Sequence, residues 1–368
     1  MRKIGREVYF YAADKAGYSR TGEGDFIRLK DGSILYVFTA YVTEDWLDHG
    51  EAVLVPLRSS DEGESWEMGE PIVRRAEGMA NVMSVSLLRM QNGDIGLFYL
   101  QKIDKGGAMY DEYLLRRSSD EGKTWGEPTV CIESNAYYCV NNDRVIRLSS
   151  GRILVPATVA IPRDKTDYTE GTNPTETTAF YSDDDGATWQ QSRTVLKTLF
   201  ANDKTGLQEP GVMELPDGRV WIWMRTDLGF QYEAFSSDGG ETFEGLRPNL
   251  FFTSPCAPLQ AKRVGDKYTV AIFNPVPKSR QLLAAQEGTY WRTWWGRTPF
   301  LCSVSEDGGL TFDRSYYLED DPKNDYCYPA VLEGDGYFLA AYYHSNDTPI
   351  CLNSLKIVKV GYDEIATK

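Results

Sequence analysis

"RSSDEGESW" at residues 58–66 and "RSSDEGKTW" at 117–125 are nearly the same nine-residue word. Three looser copies follow: "YSDDDGATW" at 181–189, "FSSDGGETF" at 235–243 and "VSEDGGLTF" at 304–312. The shared pattern is Ser, any residue, Asp, any residue, Gly, any residue, Thr or Ser, then an aromatic. Its Ser and Asp side chains can bond the local backbone, its Gly supplies a positive φ, and its aromatic is left to pack. Repetition at roughly 50–70 residues marks a propeller, a solenoid or an array.

A second motif interleaves with the first: a Gly turn followed by an apolar run. It reads "LKDGSILYVF" (29–38), "MQNGDIGLFYL" (90–100), "LSSGRILVPA" (148–157), "LPDGRVWIWM" (215–224), "RVGDKYTVAIF" (263–273) and "LEGDGYFLAAYY" (332–343). Asp-Gly and Asn-Gly between apolar runs signal tight hairpins, because both turn positions tolerate positive φ. One such hairpin plus a later Ser-x-Asp turn makes a four-stranded unit, and six units fill the 368 residues. Segments of helical period with caps are absent. Radial repetition of four-stranded sheets protects their edges, so the sequence predicts an all-β fold, a six-bladed β-propeller occupying residues 1–368 as one domain. The sixth unit lacks the Ser-x-Asp turn and "REVYFYAAD" at 6–14 is a spare strand. The N-terminal strand is therefore expected to complete the last blade.

Composition narrows the function classes. Hydrophobic residues at 42% with 25% charged residues suit a globular chain. A net charge of −15 leaves no basic stripe for nucleic acid or an anionic membrane surface. Apolar runs fall short of the ~18–20 residues of a membrane helix. The opening "MRKIGREVYFYAAD" has no apolar h-region, so a cytoplasmic location is expected. Six scattered cysteines read as free thiols rather than a disulfide framework. With only His49 and His344, neither a histidine-based metal site nor a Ser-His-Asp triad is supported, and no cofactor is called for. Five aspartates recurring at one place in the repeat, Asp61, Asp120, Asp184, Asp238 and Asp307, belong to the scaffold rather than to calcium or catalysis.

In a propeller the first strand of each blade lines the channel, and ligands bind where those strands open onto one face. The windows centred about eight to ten residues before each hairpin glycine hold Glu23 and Asp25, Asn81 to Ser84, Asn141 to Arg144, Glu209, Ser254 to Cys256, and Tyr326 to Tyr328. Acids, amides and tyrosines in one ring fit a carbohydrate pocket. A wet channel without function is the plain alternative.

The Ser-x-Asp turns resemble the Asp-boxes, or BNR repeats, of the sialidase superfamily, and the likeness runs through nearly the whole chain. "EPGVMELPDGRVWIWMR" (209–225) is similar to the sialidase segment carrying the glutamate partner of the nucleophile and one arginine of a carboxylate-binding trio, which implies those roles for Glu209 and Arg225. "YPAVLEGDGYFLAAYY" (328–343) resembles the segment opening with the tyrosine nucleophile, implying Tyr328, with Tyr326 a rival two residues away. Arg297 stands where another trio arginine precedes its Asp-box, and Asp48, eleven residues before Ser59, where the family has its acid/base aspartate. The implied activity is exo-acting hydrolysis of a terminal sugar of a glycan or glycoside, retaining through a tyrosine. A lyase or intramolecular transferase on the same scaffold and a non-catalytic glycan-binding propeller stay open.

The match fails in the first blade. Where sialidases place the remaining trio arginine, "YSRTGEGDFIRLKDG" (18–32) has Gly22, with Glu23 and Asp25 beside it and Arg20 displaced by two residues. Either Arg20 or Arg144 substitutes, or Glu23, Asp25 and Asn142 hold the hydroxyls of a different sugar. Finally, the insertion "NPVPKSRQLLAAQEGTYWRTWWGRTPF" (274–300) is rich in Tyr and Trp. It is expected to form a wall over the channel mouth, with Trp294 against the sugar, or a subunit interface.

Overall fold

The apolar runs after the six hairpin glycines are the second strands of six antiparallel blades. The structure is a computed structural model that describes residues 1–13, 17–43, 48–160, 175–198, 205–280, 282, 297–345 and 353–366. A single strand, β1 (Arg6–Tyr11), precedes the first blade. Blade one is β2 (Arg20–Arg28), β3 (Ile34–Tyr41) and β4 (Ala52–Ser59), edged by β5 (Glu67–Met68) and β6 (Val73–Arg74). Blade two is β7 (Asn81–Arg89), β8 (Ile95–Lys105), β9 (Ala108–Ser118) and β10 (Thr129–Ile132). In blade three the inner strand is split into β11 (Tyr137–Cys139) and β12 (Ile146–Arg147). Both pieces pair with β13 (Ile153–Ala160), which is followed by β14 (Glu176–Ser182) and β15 (Gln190–Gln191).

Blade four is β16 (Gln208–Glu214), β17 (Val220–Arg225), β18 (Phe230–Ser236) and β19 (Glu244–Thr253). Blade five is β20 (Gln260–Val264), β21 (Tyr268–Phe273), β22 (Phe300–Ser305) and β23 (Arg314–Glu319). Blade six is β24 (Tyr326–Gly334), β25 (Tyr337–His344) and β26 (Ser354–Gly361), and β1 supplies its outer strand through pairs from Arg6↔Lys359 to Tyr11↔Leu355. The chain is thus the six-bladed β-propeller expected from the two repeats. Among the described residues no helix is long and apolar enough to cross a membrane.

The core is six wedges, one between each pair of neighbouring blades. Both faces of a second strand are therefore covered, which is why Ile34–Tyr41 is buried throughout instead of alternating. The Ser-x-Asp turns join the third and fourth strands of blades one to five and knit blade to blade. In the first, Asp61 Oδ1 accepts from the Ser65 N–H at 2.9 Å and from Ser59 Oγ at 2.8 Å, while Ser59 Oγ accepts the Gly63 N–H at 2.9 Å. The Ser65 hydroxyl, which donates to Asp61 Oδ2, leads these bonds in holding the Asp61 carboxyl down at about 2. The four other turns repeat the pattern around Asp120, Asp184, Asp238 and Asp307. Gly63 has φ +82°, and a Cβ there would fall 2.8 Å from Leu339 of the preceding blade. The turn glycine thus serves backbone conformation and blade contact together.

Candidate active site

The channel-lining windows contain a local device that the hairpin pattern does not announce. Pairing between first and second strands slips between Gly22 and Asp25, Met83 and Ser86, Gln208 and Gly211, and Cys327 and Ala330. At each slip a residue other than glycine has positive φ: Glu23 at 52°, Ser84 at 60°, Glu209 at 46° and Tyr328 at 56°. In blade three Asp143, at 54°, occupies the break between β11 and β12. Each such conformation costs on the order of 1–3 kcal/mol and persists where surrounding bonds enforce it. Here neighbouring blades do so. The Glu209 N–H goes to Thr158 Oγ1 at 2.7 Å, the Ser84 N–H to Thr39 Oγ1 at 3.0 Å, and the Asp143 N–H to the Val85 carbonyl at 3.0 Å.

The bulges bring Glu209 and Tyr328 together across the ring. Tyr328 Oη donates to Glu209 Oε1 at 2.7 Å, and both residues are only 9% exposed. Arg225 closes the group, with Nη1 2.5 Å from Glu209 Oε2 and 3.3 Å from Tyr328 Oη, and Nε 3.0 Å from Cys256 Sγ. Arg297 lies 5.5 Å from the centre of the Tyr328 ring. Its Nη1 donates to Cys327 Sγ at 3.1 Å and its Nη2 to the Cys256 carbonyl at 3.3 Å. Burial drives the Tyr328 phenol well above its ordinary value and Glu209 adds to this, while Arg225 and Arg297 pull the other way. The phenol thus keeps its proton and directs it at a Glu209 oxygen, the arrangement from which a base-activated nucleophile starts.

Beside it lies a second ionic group in blade one. Arg20, 3% exposed, donates from Nη1 to Asp48 Oδ1 at 2.5 Å, from Nη2 to Glu23 Oε1 at 3.0 Å and from Nε to Tyr343 Oη at 3.1 Å. Ser84 Oγ lies 2.6 Å from Glu23 Oε2. Tyr343 bridges the two groups, its ring centre 5.8 Å from that of Tyr328. It also accounts for the missing arginine, because a Cβ on Gly22 would land 2.4 Å from the Tyr343 ring. A side chain cannot emerge there while Tyr343 stays in place.

Other candidates serve elsewhere. Asp25 accepts the Phe26 and Leu87 N–H groups at 2.7 and 2.8 Å and faces Asp143 and Lys262, an arrangement that ties blades together. Asn142 Nδ2 donates to the carbonyls of Gly24 and Tyr328 at 3.0 and 3.3 Å, so it braces the backbone behind the site. Arg144 donates to Gln260 Oε1 and to the Leu259 carbonyl, which ties blade three to blade five. The Tyr326 ring packs among Phe300, Tyr342 and His344 in the wedge between blades five and six, not at the channel mouth. Trp294, with Tyr290, Trp291, Arg292 and Trp295 of the insertion, lies outside the described residues. Sequence reasoning missed Tyr343, which sits on an apolar second strand, and it assigned no role to Cys256 or Cys327. The five described cysteines are free thiols.

These features define a propeller of repeated Ser-x-Asp turns whose inner-strand bulges gather a tyrosine, carboxylates and arginines at one place. The chain belongs to the family described as BNR repeat-like domain, whose model matches residues 48–340. No curated protein sequence matches it significantly. Among solved structures, a protein of unknown function from Dyadobacter fermentans is 20% identical, with TM-score 0.70 over 96% of this chain and 99% of that one. The sialidase Hz136, described as Hadza microbial, is 16% identical, with TM-score 0.71 over 97% and 69%. The intramolecular trans-sialidase of Ruminococcus gnavus, solved with oseltamivir carboxylate, is 13% identical, with TM-score 0.71 over 97% and 98%. At these identities the likeness establishes a sialidase-like scaffold.

Proposed function

We propose that the protein is an exo-acting glycoside hydrolase that removes a terminal sugar from a glycan, with Tyr328 as nucleophile and Glu209 as its base. The observation that carries this reading is the 2.7 Å bond from Tyr328 Oη to Glu209 Oε1, with Arg225 within reach of both groups. A phenol of ordinary pKa near 10 attacks only if its proton is removed as it reacts, and a carboxylate at hydrogen-bond distance can take it. A carboxyl group of blade one supplies the proton for the departing oxygen. Arg225 and Arg297 orient the sugar, and the forked guanidinium geometry suits a carboxylate or a pair of hydroxyls.

A second reading concerns the sugar. Gly22 offers no side chain, and the Arg20 fork is engaged by Asp48 and Glu23. The cradle is thus two-armed with an acid at its third corner, which favours a hydroxyl there over the carboxylate of sialic acid. Both readings are tested with a panel of aryl glycosides, sialosides included, whose products are followed by NMR. Aglycone release with water added at the anomeric carbon is expected, abolished in Tyr328→Phe. An unsaturated or anhydro sugar would instead mean elimination or intramolecular transfer, and no release from any member of the panel would overturn the enzyme reading.

A further inference from the structure

The resemblance offers Asp48 as the proton donor, and its surroundings suit that role poorly. Arg20 Nη1 lies 2.5 Å from Asp48 Oδ1, and half of the Asp48 side chain faces solvent. Burial of its other half works against its charge, yet Arg20, followed by Lys102, holds the carboxyl well below its usual range. A carboxylate fixed in this way has no proton to give near neutral pH.

Glu23 shares the contact with Arg20 but differs in burial and in the balance of charge around it. It occupies the same kind of bulge as Glu209, in blade one against blade four, which stand opposite in a ring of six. It is 3% exposed. Its Oε1 accepts from Arg20 Nη2 at 3.0 Å and from Tyr343 Oη at 3.4 Å. Its Oε2 is 2.6 Å from Ser84 Oγ, a hydroxyl able to give or accept a proton. One side chain, Tyr343, separates it from the ring of Tyr328. Burial raises its carboxyl, Arg20 and Ser84 work against this, and the charges of Asp48 and Glu209 add to it. Carboxyl groups of one site driven apart in this manner divide into proton donor and bystander.

We infer that Glu23, and not Asp48, gives the proton to the departing oxygen and later accepts one from water; the inference rests on the hydrolase reading above. As the glycosidic C–O bond breaks, its electron pair takes the Glu23 proton. The anomeric carbon bonds to Tyr328 Oη, whose proton passes to Glu209. In the second half a water loses a proton to Glu23 and its oxygen displaces Tyr328 Oη, which recovers its proton from Glu209. Charge and atoms balance over the cycle, with one water consumed.

The test compares wild type, Glu23→Gln and Asp48→Asn on two glycosides of the sugar that wild type cleaves fastest. One carries a dinitrophenyl aglycone, which departs without a proton, and the other a methyl aglycone, which does not. Glu23→Gln is expected to lose about 100-fold or more in kcat/KM on the methyl glycoside and less than about 10-fold on the other. Added azide should speed turnover of the dinitrophenyl substrate and yield glycosyl azide, a signature that a merely structural role would not produce. Asp48→Asn should affect both substrates alike. The opposite assignment, with leaving-group dependence in Asp48→Asn and none in Glu23→Gln, overturns the inference and leaves the hydrolase reading standing. A wild type that cleaves nothing overturns both. If Glu23→Gln does not fold, Glu23→Asp, which keeps the carboxyl on a shorter arm, should show the same dependence in weaker form, and its absence there would count against Glu23.

Discussion

Tyr328 keeps its proton because burial and the Glu209 charge disfavour a phenolate against the pull of Arg225 and Arg297. The pair should therefore behave as one unit. Tyr328→Phe and Glu209→Gln are each expected to lower kcat by roughly 100-fold or more with little change in melting temperature. The double mutant should be hardly worse than either single one, since parts of one unit are not additive. Multiplied losses in the double mutant would show two independent roles. A second case is Asp111, fully buried, where burial raises the carboxyl to about 7 although Lys102 and the Tyr138 N–H act against it. Between about 4 and 7 the folded chain holds this proton and the unfolded chain does not, so this group's stabilising contribution is whole at acid pH and is lost as pH rises through 7. Asp111→Asn should remove that fall. Melting temperatures at pH 5 and pH 8 should show the variant gaining on wild type as pH rises, and a constant difference would contradict it.

Strand β2 shows how an inner strand trades a side chain for a neighbour. At Gly22 the Tyr343 ring takes the space a Cβ needs. Gly22→Ala is expected to cost about 1–3 kcal/mol, as overpacking does. Tyr343→Ala should relieve most of that cost, so a double-mutant cycle on urea unfolding should give a coupling well away from zero. Additive effects would mean the strand shifts to make room. One residue further on, the bulge turns Glu23 into the channel at φ 52°. The same slip in blades two, four and six presents Ser84, Glu209 and Tyr328, so the site depends on strained backbone held by adjacent blades.

Closure of the ring depends on a strand from the other end of the chain. β1 pairs along β26, Ile4 is buried in the wedge between blades five and six, and Val8, Tyr9 and Tyr11 pack against the wedge between blades six and one. Burying Ile4 alone is worth about 1.5–3 kcal/mol. Deleting residues 1–11 should cost about 5 kcal/mol or more, a large part of a domain margin of roughly 5–15 kcal/mol. It would also bare the edge of β26, so size-exclusion chromatography should show association alongside a lowered melting transition. A monomer of unchanged stability would mean that the blades close without it.

The fold was legible because its signals are local. A nine-residue turn carries its own hydrogen bonds, a hairpin glycine its own φ, and counting them gives the blades. The near-equal spacing of Glu209 and Tyr328 from their hairpin glycines, nine residues to Gly218 and eight to Gly336, reads as one depth in the ring, and their oxygens lie 2.7 Å apart. What spacing could not supply is the direction of a side chain at a bulge. There the sign of φ is decided by a threonine or a carbonyl on another blade, and no pattern along one strand records it. Nor could it supply the partners of a charge. Arg20 reads as a displaced substrate arm, yet only folding brings it to Glu23, Asp48 and, 323 residues away, Tyr343. Tyr326 and Tyr328 are alike in the sequence. The bulge sends one to the channel mouth and leaves the other in a wedge of the core, because a single slipped residue reverses the face a strand presents.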